Sequence, residues 1–196
     1  MSTHPPAGNA LIKKRVPNMK NYLILFLALA CSMSLSAQVI FGDNVGTAPD
    51  KTSVLMEFGA SGDRGLILPY VTNKSAITAP GSIVLDASTP NNAFVRYYNG
   101  TGWENLTVQP SDVSASLTIQ PNTRERSGAK TIIGSTTSSA DGVLVLESKN
   151  KAMVLPMTDS YKKIVNPAPG TMVLLKSGSQ KTLAVYNGQQ WSFWTY

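Results

Sequence analysis

Apolar residues in this chain come in short runs rich in Val, Ile, Leu and Tyr, separated by clusters of Gly, Pro, Asn, Asp and Ser. The breaks recur about every 8–12 residues, the rhythm of an all-β chain. The first half predicts strands at Gln38–Phe41, Val54–Phe58, Gly65–Leu68, Ile83–Asp86, Phe94–Tyr98 and Trp103–Thr107. The second predicts Lys130–Ile133, Val143–Glu147, Ala152–Leu155, Met172–Lys176, Thr182–Tyr186 and Trp191–Trp194. Short helical turns are expected at Asn73–Ile77 and Asp159–Val165, the latter capped by Asp159.

The two halves carry the same signals in the same order. Val54-Leu55-Met56-Glu57, Leu66-Ile67-Leu68-Pro69, Ala79-Pro80-Gly81-Ser82-Ile83-Val84-Leu85 and Tyr98-Asn99-Gly100-Thr101-Gly102-Trp103 make the first set. Val143-Leu144-Val145-Leu146-Glu147, Met153-Val154-Leu155-Pro156, Ala168-Pro169-Gly170-Thr171-Met172-Val173-Leu174 and Tyr186-Asn187-Gly188-Gln189-Gln190-Trp191 make the second, offset by 89, 87, 89 and 88 residues. The fold expected is mainly β: two tandem, related, hairpin-rich modules of sandwich or roll type, 38–106 and 130–196. A built-in repeat points first to structure and binding, not to one active site.

Asn-Gly at 99–100 and 187–188 predicts two-residue type I′ hairpins. Tyr186 would then oppose Gln189, Ala184 oppose Trp191, and Arg96 oppose and stack on Trp103. Tyr186, Trp191 and Phe193 share one face; Leu183, Val185 and Trp194 share the other. In the first copy Tyr98, Trp103 and Arg96 share a face, with Val95, Tyr97 and Leu106 opposite. Both faces are apolar or aromatic, whereas a small two-layer fold leaves one face wet. Either both are covered, by the other module or another subunit, or one is an exposed aromatic stripe.

Residues 107–129 are rich in Ser, Thr, Pro, Asn and Gln and read as a connector. The alternation Val113-Ser114-Ala115-Ser116-Leu117-Thr118-Ile119 predicts one strand there, in a hairpin with Lys130–Ile133 across the Pro121–Gly128 loop.

At the other end, Lys20 precedes the apolar run Tyr22–Ala30, and Leu35-Ser36-Ala37 offers a small-residue exit before Gln38. Residues 1–37 therefore read as an N-terminal extension and signal peptide. The run is shorter than the roughly 20 residues of a bilayer span, so no integral span is expected in the mature chain. Ala28-Leu29-Ala30-Cys31 leaves lipidation of Cys31 open, and Met19 competes with Met1 as the start.

Processing there changes the charge argument. The whole chain has a formal net charge of +6. Lys13, Lys14, Arg15 and Lys20 all fall in the leader, leaving 13 basic against 11 acidic residues and a net charge of +2. A basic nucleic-acid surface loses its support, and Arg124, Glu125, Arg126 and Lys130 read as a solvated loop. The leader also holds the only histidine, His4, and the only cysteine, Cys31. A mature chain without either excludes His-based triads, thiol nucleophiles, His or Cys zinc and haem sites, and disulfides.

The carboxylates do not suggest a glycosidase pair: Glu57 and Glu147 end comparable strands, while Glu104 has Ser192 as its counterpart. Asp63, Asp86 and Asp141 sit near glycines but without the Asp-x-Asp-x-Asp spacing of a calcium loop. No catalytic, cofactor-binding or metal-ligating residue is assigned.

The order of signals resembles a repeat of secreted and tail-fibre-like surface proteins of the Bacteroidetes type. It rests on Val45-Gly46-Thr47-Ala48-Pro49, Gly65-Leu66-Ile67-Leu68-Pro69, Ala79-Pro80-Gly81 and Tyr98–Trp103 in the first copy. In the second it rests on Met153-Val154-Leu155-Pro156-Met157-Thr158, Pro169-Gly170 and Tyr186–Trp191. Neither copy keeps the arginine of that pattern's Pro-Arg-Met-Thr, and Val84-Leu85 and Val173-Leu174 replace its Val-Tyr. The resemblance implies secreted, often oligomeric, fibre or adhesin roles without catalysis.

The function expected is that of a non-enzymatic exported structural or interaction protein, a cell-surface, appendage or envelope-assembly subunit. Its place would be the periplasm, the outer-membrane surface or the extracellular space. Expected partners are other envelope or surface proteins, and the chain itself as a homo-oligomer; no nucleic acid is among them. The alternative is a carbohydrate-binding module with a glycan stacked on the hairpin aromatics. The candidate interaction surface is Tyr97, Tyr98, Trp103, Tyr186, Trp191, Phe193 and Trp194.

Overall fold

Extended segments form where the apolar runs fall, and most are only two to five residues long, so each needs partners from elsewhere in the chain. The computed structural model describes residues 38–60, 62–119, 126 and 128–195, with Met1. The expected signal peptide, Cys31 and the choice of start lie outside the described residues, as do Arg124, Glu125 and Tyr196. Contacts divide the chain into Met1–Ser36 and Ala37–Tyr196, and the second unit holds all the elements described here.

The strands are β1 (Val39–Phe41), β2 (Val54–Phe58), β3 (Leu66–Ile67), β4 (Tyr70–Val71), β5 (Ile83–Asp86), β6 (Phe94–Tyr98) and β7 (Trp103–Asn105). After helix α1 (Ser114–Thr118) come β8 (Thr131–Ile133), β9 (Leu144–Leu146), β10 (Ala152–Met153), β11 (Met157–Thr158), β12 (Thr171–Ser177), β13 (Gln180–Tyr186) and β14 (Trp191–Thr195). The fold is mainly β and built twice. One sheet runs β4-β5-β6-β7 and its counterpart β11-β12-β13-β14, each with a parallel pair followed by two antiparallel ones. β1 and β2 pair in parallel, as do β8 and β9.

Individual hydrogen bonds are duplicated as well. Leu85 N–H donates to Pro69 C=O as Leu174 N–H does to Pro156 C=O, both at 2.9 Å. Ile77 bonds back to Lys74 as Ile164 does to Tyr161. Ala79-Pro80-Gly81-Ser82 and Ala168-Pro169-Gly170-Thr171 both close by a bond from the fourth residue to the first, with glycine φ of 86° and 80°. Proline second and a positive-φ residue third are what a type II turn requires.

The inner faces of the two sheets meet. Leu68, Leu85, Ala87, Ala93 and Val95 of the first copy share one buried cluster with Met172 and Val185 of the second, and Val113 closes it. A second cluster joins Leu55 and Met56 to Ile133, with Leu146 and Met153 against it. The copies therefore exchange core surface at two places. They also exchange strands: β10 adds in parallel to β2, and β3 adds antiparallel to β12.

Three sequence expectations change here. Ser114–Thr118 is helical, not extended, and β8 pairs with β9 instead of forming a hairpin with it. The apolar positions Val113 and Leu117 are four apart, a helical spacing as well as an alternating one, and both turn toward the shared core. Ser160, not Asp159, caps the turn at Tyr161–Lys163, its side chain accepting from Lys162 N–H. The Asn-Gly hairpins are wider than two residues. Tyr98 pairs with Trp103 and Tyr186 with Trp191, and neither Asn99 nor Asn187 has positive φ. Instead each asparagine Oδ1 accepts two backbone N–H groups, Thr101 and Gly102 in one copy and Gln189 and Gln190 in the other. The register shift is two residues, so every side chain keeps its expected face.

Glu57 anchors the N-terminal part. It lies within β2, fully buried at 0% exposure, whereas Glu147 follows the end of β9. The loop before β2 wraps its carboxylate, with Thr47 and Ala48 N–H donating to Oε2 at 2.9 Å and Lys51 Nζ to Oε1, and Gln38, just before β1, donates its Nε2 to Oε1 as well. Burial pushes the Glu57 carboxyl up, but the Ala48 N–H, the Lys51 ammonium and the Thr47 N–H outweigh it and hold it below the ordinary glutamate range. A depressed folded-state pKa contributes stability that is complete above the unfolded-state value and is lost as pH falls through the folded one. Glu57→Gln is expected to lower stability at neutral pH by about 2 kcal/mol, the scale of a lost charged hydrogen-bond set. Urea melts across the acid range check this: wild type loses its advantage over the variant below the ordinary glutamate range, and the curves converge.

Candidate interaction surface

The outer faces of the two sheets carry the hairpin aromatics, and the two copies treat them differently. In the second copy Tyr186 and Trp191 form a tilted pair with ring centroids 5.1 Å apart. Tyr161, from the turn after β11, packs on Trp191 at 5.9 Å and on Phe193 at 5.3 Å. Ile164, Val173 and Ala184 fill the space beneath. This face is covered by the module's own turn.

In the first copy Tyr98 and Trp103 form a tilted pair with ring centroids 5.4 Å apart, but the position matching Tyr161 is Lys74. Lys74 Nζ reaches Asp86 at 2.7 Å, and Arg96 binds the same carboxylate at 2.9 Å. Arg96 also donates to Asn105 and lies over Phe94, not over Trp103, because the wider hairpin moves Trp103 opposite Tyr98. Burial pushes the Asp86 carboxyl up, yet the Lys74 ammonium and the Ser88 hydroxyl and N–H outweigh it and keep it low. Both cations engage Asp86, which makes it an ion-pair centre.

An open groove of about 520 Å³ lies beside Trp103, lined by Thr72, Asn73, Lys74, Ser75, Ser88 and Tyr98 among others. Among the described residues, no group of three His, Cys, Asp or Glu side chains is placed to hold a metal.

The remaining expected surface residues separate. Tyr97 lies in register with Glu104 and with Ile83, on the sheet face opposite Tyr98. Phe193 is 48% exposed at the rim of the covered aromatic cluster. Trp194 turns to the other face and donates its ring N–H to Leu106 C=O at 2.9 Å.

Trp194 belongs to a seam that the sequence did not suggest. The segment after β7 runs between the copies. Ala93 and Ser111 exchange both backbone bonds on one side. On the other side Val108 N–H donates to Ser192 Oγ, and Asn187 Nδ2 donates to Gln109 C=O at 2.8 Å and to Pro110 C=O. Asn187 is fully buried and ties both its own hairpin and this segment; Asn99, its counterpart, is exposed and its Nδ2 meets only Glu104 at 3.4 Å. Gly188, at φ 113°, sits so close to Pro169 and Ser111 that a Cβ would fall 2.9 Å from the serine oxygen.

These features define a duplicated, hairpin-rich β unit with paired inner faces and a strand-exchange pattern. Residues 132–195 match the family described as a phage tail like trimerisation region. No curated protein and no solved structure matches the chain. The matched stretch spans β9 through β14, so the likeness lies in the second copy. Among the described residues no helix is long and apolar enough to cross a membrane.

The two asparagines give a direct test of the seam. Asn187→Ala is expected to cost about 2–3 kcal/mol, because buried backbone carbonyls and N–H groups lose their partners. Asn99→Ala is expected to cost under about 1 kcal/mol, since water replaces what it loses. Equilibrium denaturation of the two variants measures the difference; equal costs would mean that Asn187 does no more than shape its turn.

Proposed function

We propose that this chain is an exported, non-enzymatic structural subunit of a cell-surface, appendage or envelope assembly, and that it works as a homotrimer. The carrying observation is the match of the second copy to a trimerisation region of phage-tail type. Apolar side chains left outside the shared core support it: Val143, Leu144, Val165 and Phe193 are all exposed. Val143 and Leu144 are adjacent on and beside β9, so they offer apolar surface at one edge. In this reading 38–106 and 130–196 are the repeat units, 107–129 joins them, and 1–37 directs export. Other envelope proteins are further partners, and the resemblance to Bacteroidetes-type surface repeats supports the location at the periplasm, outer-membrane surface or cell exterior.

Sedimentation equilibrium over a range of concentrations tests the trimer. A mass three times that of one chain is expected, and a single-chain mass throughout would remove the reading.

A second reading has its own support in the first copy. The groove beside Trp103 combines a tilted aromatic pair with amide and hydroxyl groups, a mixture suited to a sugar ring. Trp191 is instead packed against Tyr161 of its own module. On a glycan array Trp103→Ala is expected to abolish binding while Trp191→Ala retains it. An array on which the wild type shows no signal would dispose of the glycan.

A further inference from the structure

The internal repeat shows what a strand edge left bare in one copy carries in the other. In the first copy β2 is flanked on both sides, by β1 and by β10. In the second, β9 has β8 on one side and no strand on the other among the described residues. The burial follows the pairing. Leu55 and Met56 are 3% and 1% exposed, whereas Val143 and Leu144 are 55% and 41% exposed. An apolar edge of this kind is a template for a further strand.

The backbone points the same way. Thr131 N–H bonds to Val143 C=O, and Glu147 N–H bonds to Ile133 C=O. Residues 143, 145 and 147 therefore face β8, and Leu144 and Leu146 direct their N–H and C=O outward. On β2 the matching position is Met56, whose C=O accepts from Val154 N–H at 2.8 Å.

The first copy holds a strand of the matching kind. β3 precedes Pro69 as Met153-Val154 precede Pro156, so Leu66 and Ile67 stand where Met153 and Val154 stand. β3 uses one side on β12, where Leu68 N–H bonds to Gly170 C=O. Ile67 is opposite Thr171 at a non-hydrogen-bonded position, so its own N–H and C=O face away from β12, and its side chain is 57% exposed. Within one chain β10 already occupies β2, and β3 is held on β12.

We infer that β9 of one chain takes up β3 of a second copy as a parallel strand, with Ile67 N–H donating to Leu144 C=O and Leu66 lying beside Leu144. The contact is head-to-tail, since each chain offers a different edge to each neighbour. Such contacts close into a ring when the rotation fits, and three chains give the closed form consistent with trimerisation. This inference rests on the self-association proposed above and names its interface.

The full chain carrying Cys31→Ser provides the test. Leu144→Pro removes an N–H that bonds nothing among the described residues and places a ring against the incoming strand. Leu144→Lys puts a charge on the same edge without constraining the backbone. Both are expected to sediment as single chains with the wild-type circular dichroism spectrum. Co-expressing a Leu66→Cys chain with a Leu144→Cys chain is expected to give a disulfide-linked dimer on oxidation that neither gives alone. A trimeric wild type whose Leu144→Lys variant stays trimeric, with no crosslink, overturns this interface while leaving trimerisation standing. A monomeric wild type overturns both.

Discussion

The fold depends on inner faces meeting across copies. A four-stranded sheet with two-residue and three-residue edge strands cannot bury its own apolar face. Leu85 and Val95 find their cover in Met172 and Val185, and Leu55 and Met56 find theirs in Ile133 and Leu146. Neither copy is complete without the other, and the same dependence runs through the ladders, where β10 completes β2 and β3 flanks β12. A unit that relies on its neighbour within one chain is already organised to rely on a neighbour in another.

The outer faces show two solutions to one problem. At equivalent positions the first copy has Lys74, Asp86 and Arg96, and the second has Tyr161, Leu175 and Ala184. The ion-paired version keeps its face wet at a half-buried charge cluster. The aromatic version dries it by laying Tyr161 over Trp191. Buried ion pairs contribute little net stability compared with apolar packing of like volume, so the difference bears on surface character more than on strength. It leaves Trp103 beside an open groove and Trp191 in a packed cluster.

Much of this was legible in the sequence. Alternation and turn residues located nearly every long strand, and the repeat located the two sheets, because local pattern and register set both. Parity protected the hairpin faces: Asn99 and Asn187 chose a wider turn than Asn-Gly suggests, yet a two-residue shift left Tyr186, Trp191 and Phe193 on one face. What was missed depends on distant partners. β4 and β11 are two-residue strands that exist only because β5 and β12 lie beside them. Ser114–Thr118 alternates like a strand but coils because Val113 and Leu117 have the shared core to fill. Tyr161 as the cover of Trp191, and Asn187 as the tie to Gln109 and Pro110, required the third dimension. A buried asparagine whose twin is exposed has no linear signature.

The seam between copies is made largely through main-chain groups. Asn187 binds the carbonyls of Gln109 and Pro110, Trp194 binds that of Leu106, and Ser192 receives the N–H of Val108. Any residue presents a carbonyl, so this joint constrains the path of the joining segment much more than its spelling. A gene duplicating such a unit could append further copies and let the joints drift in sequence without losing the bond pattern. Arrays of different length are then within reach of one ancestral module.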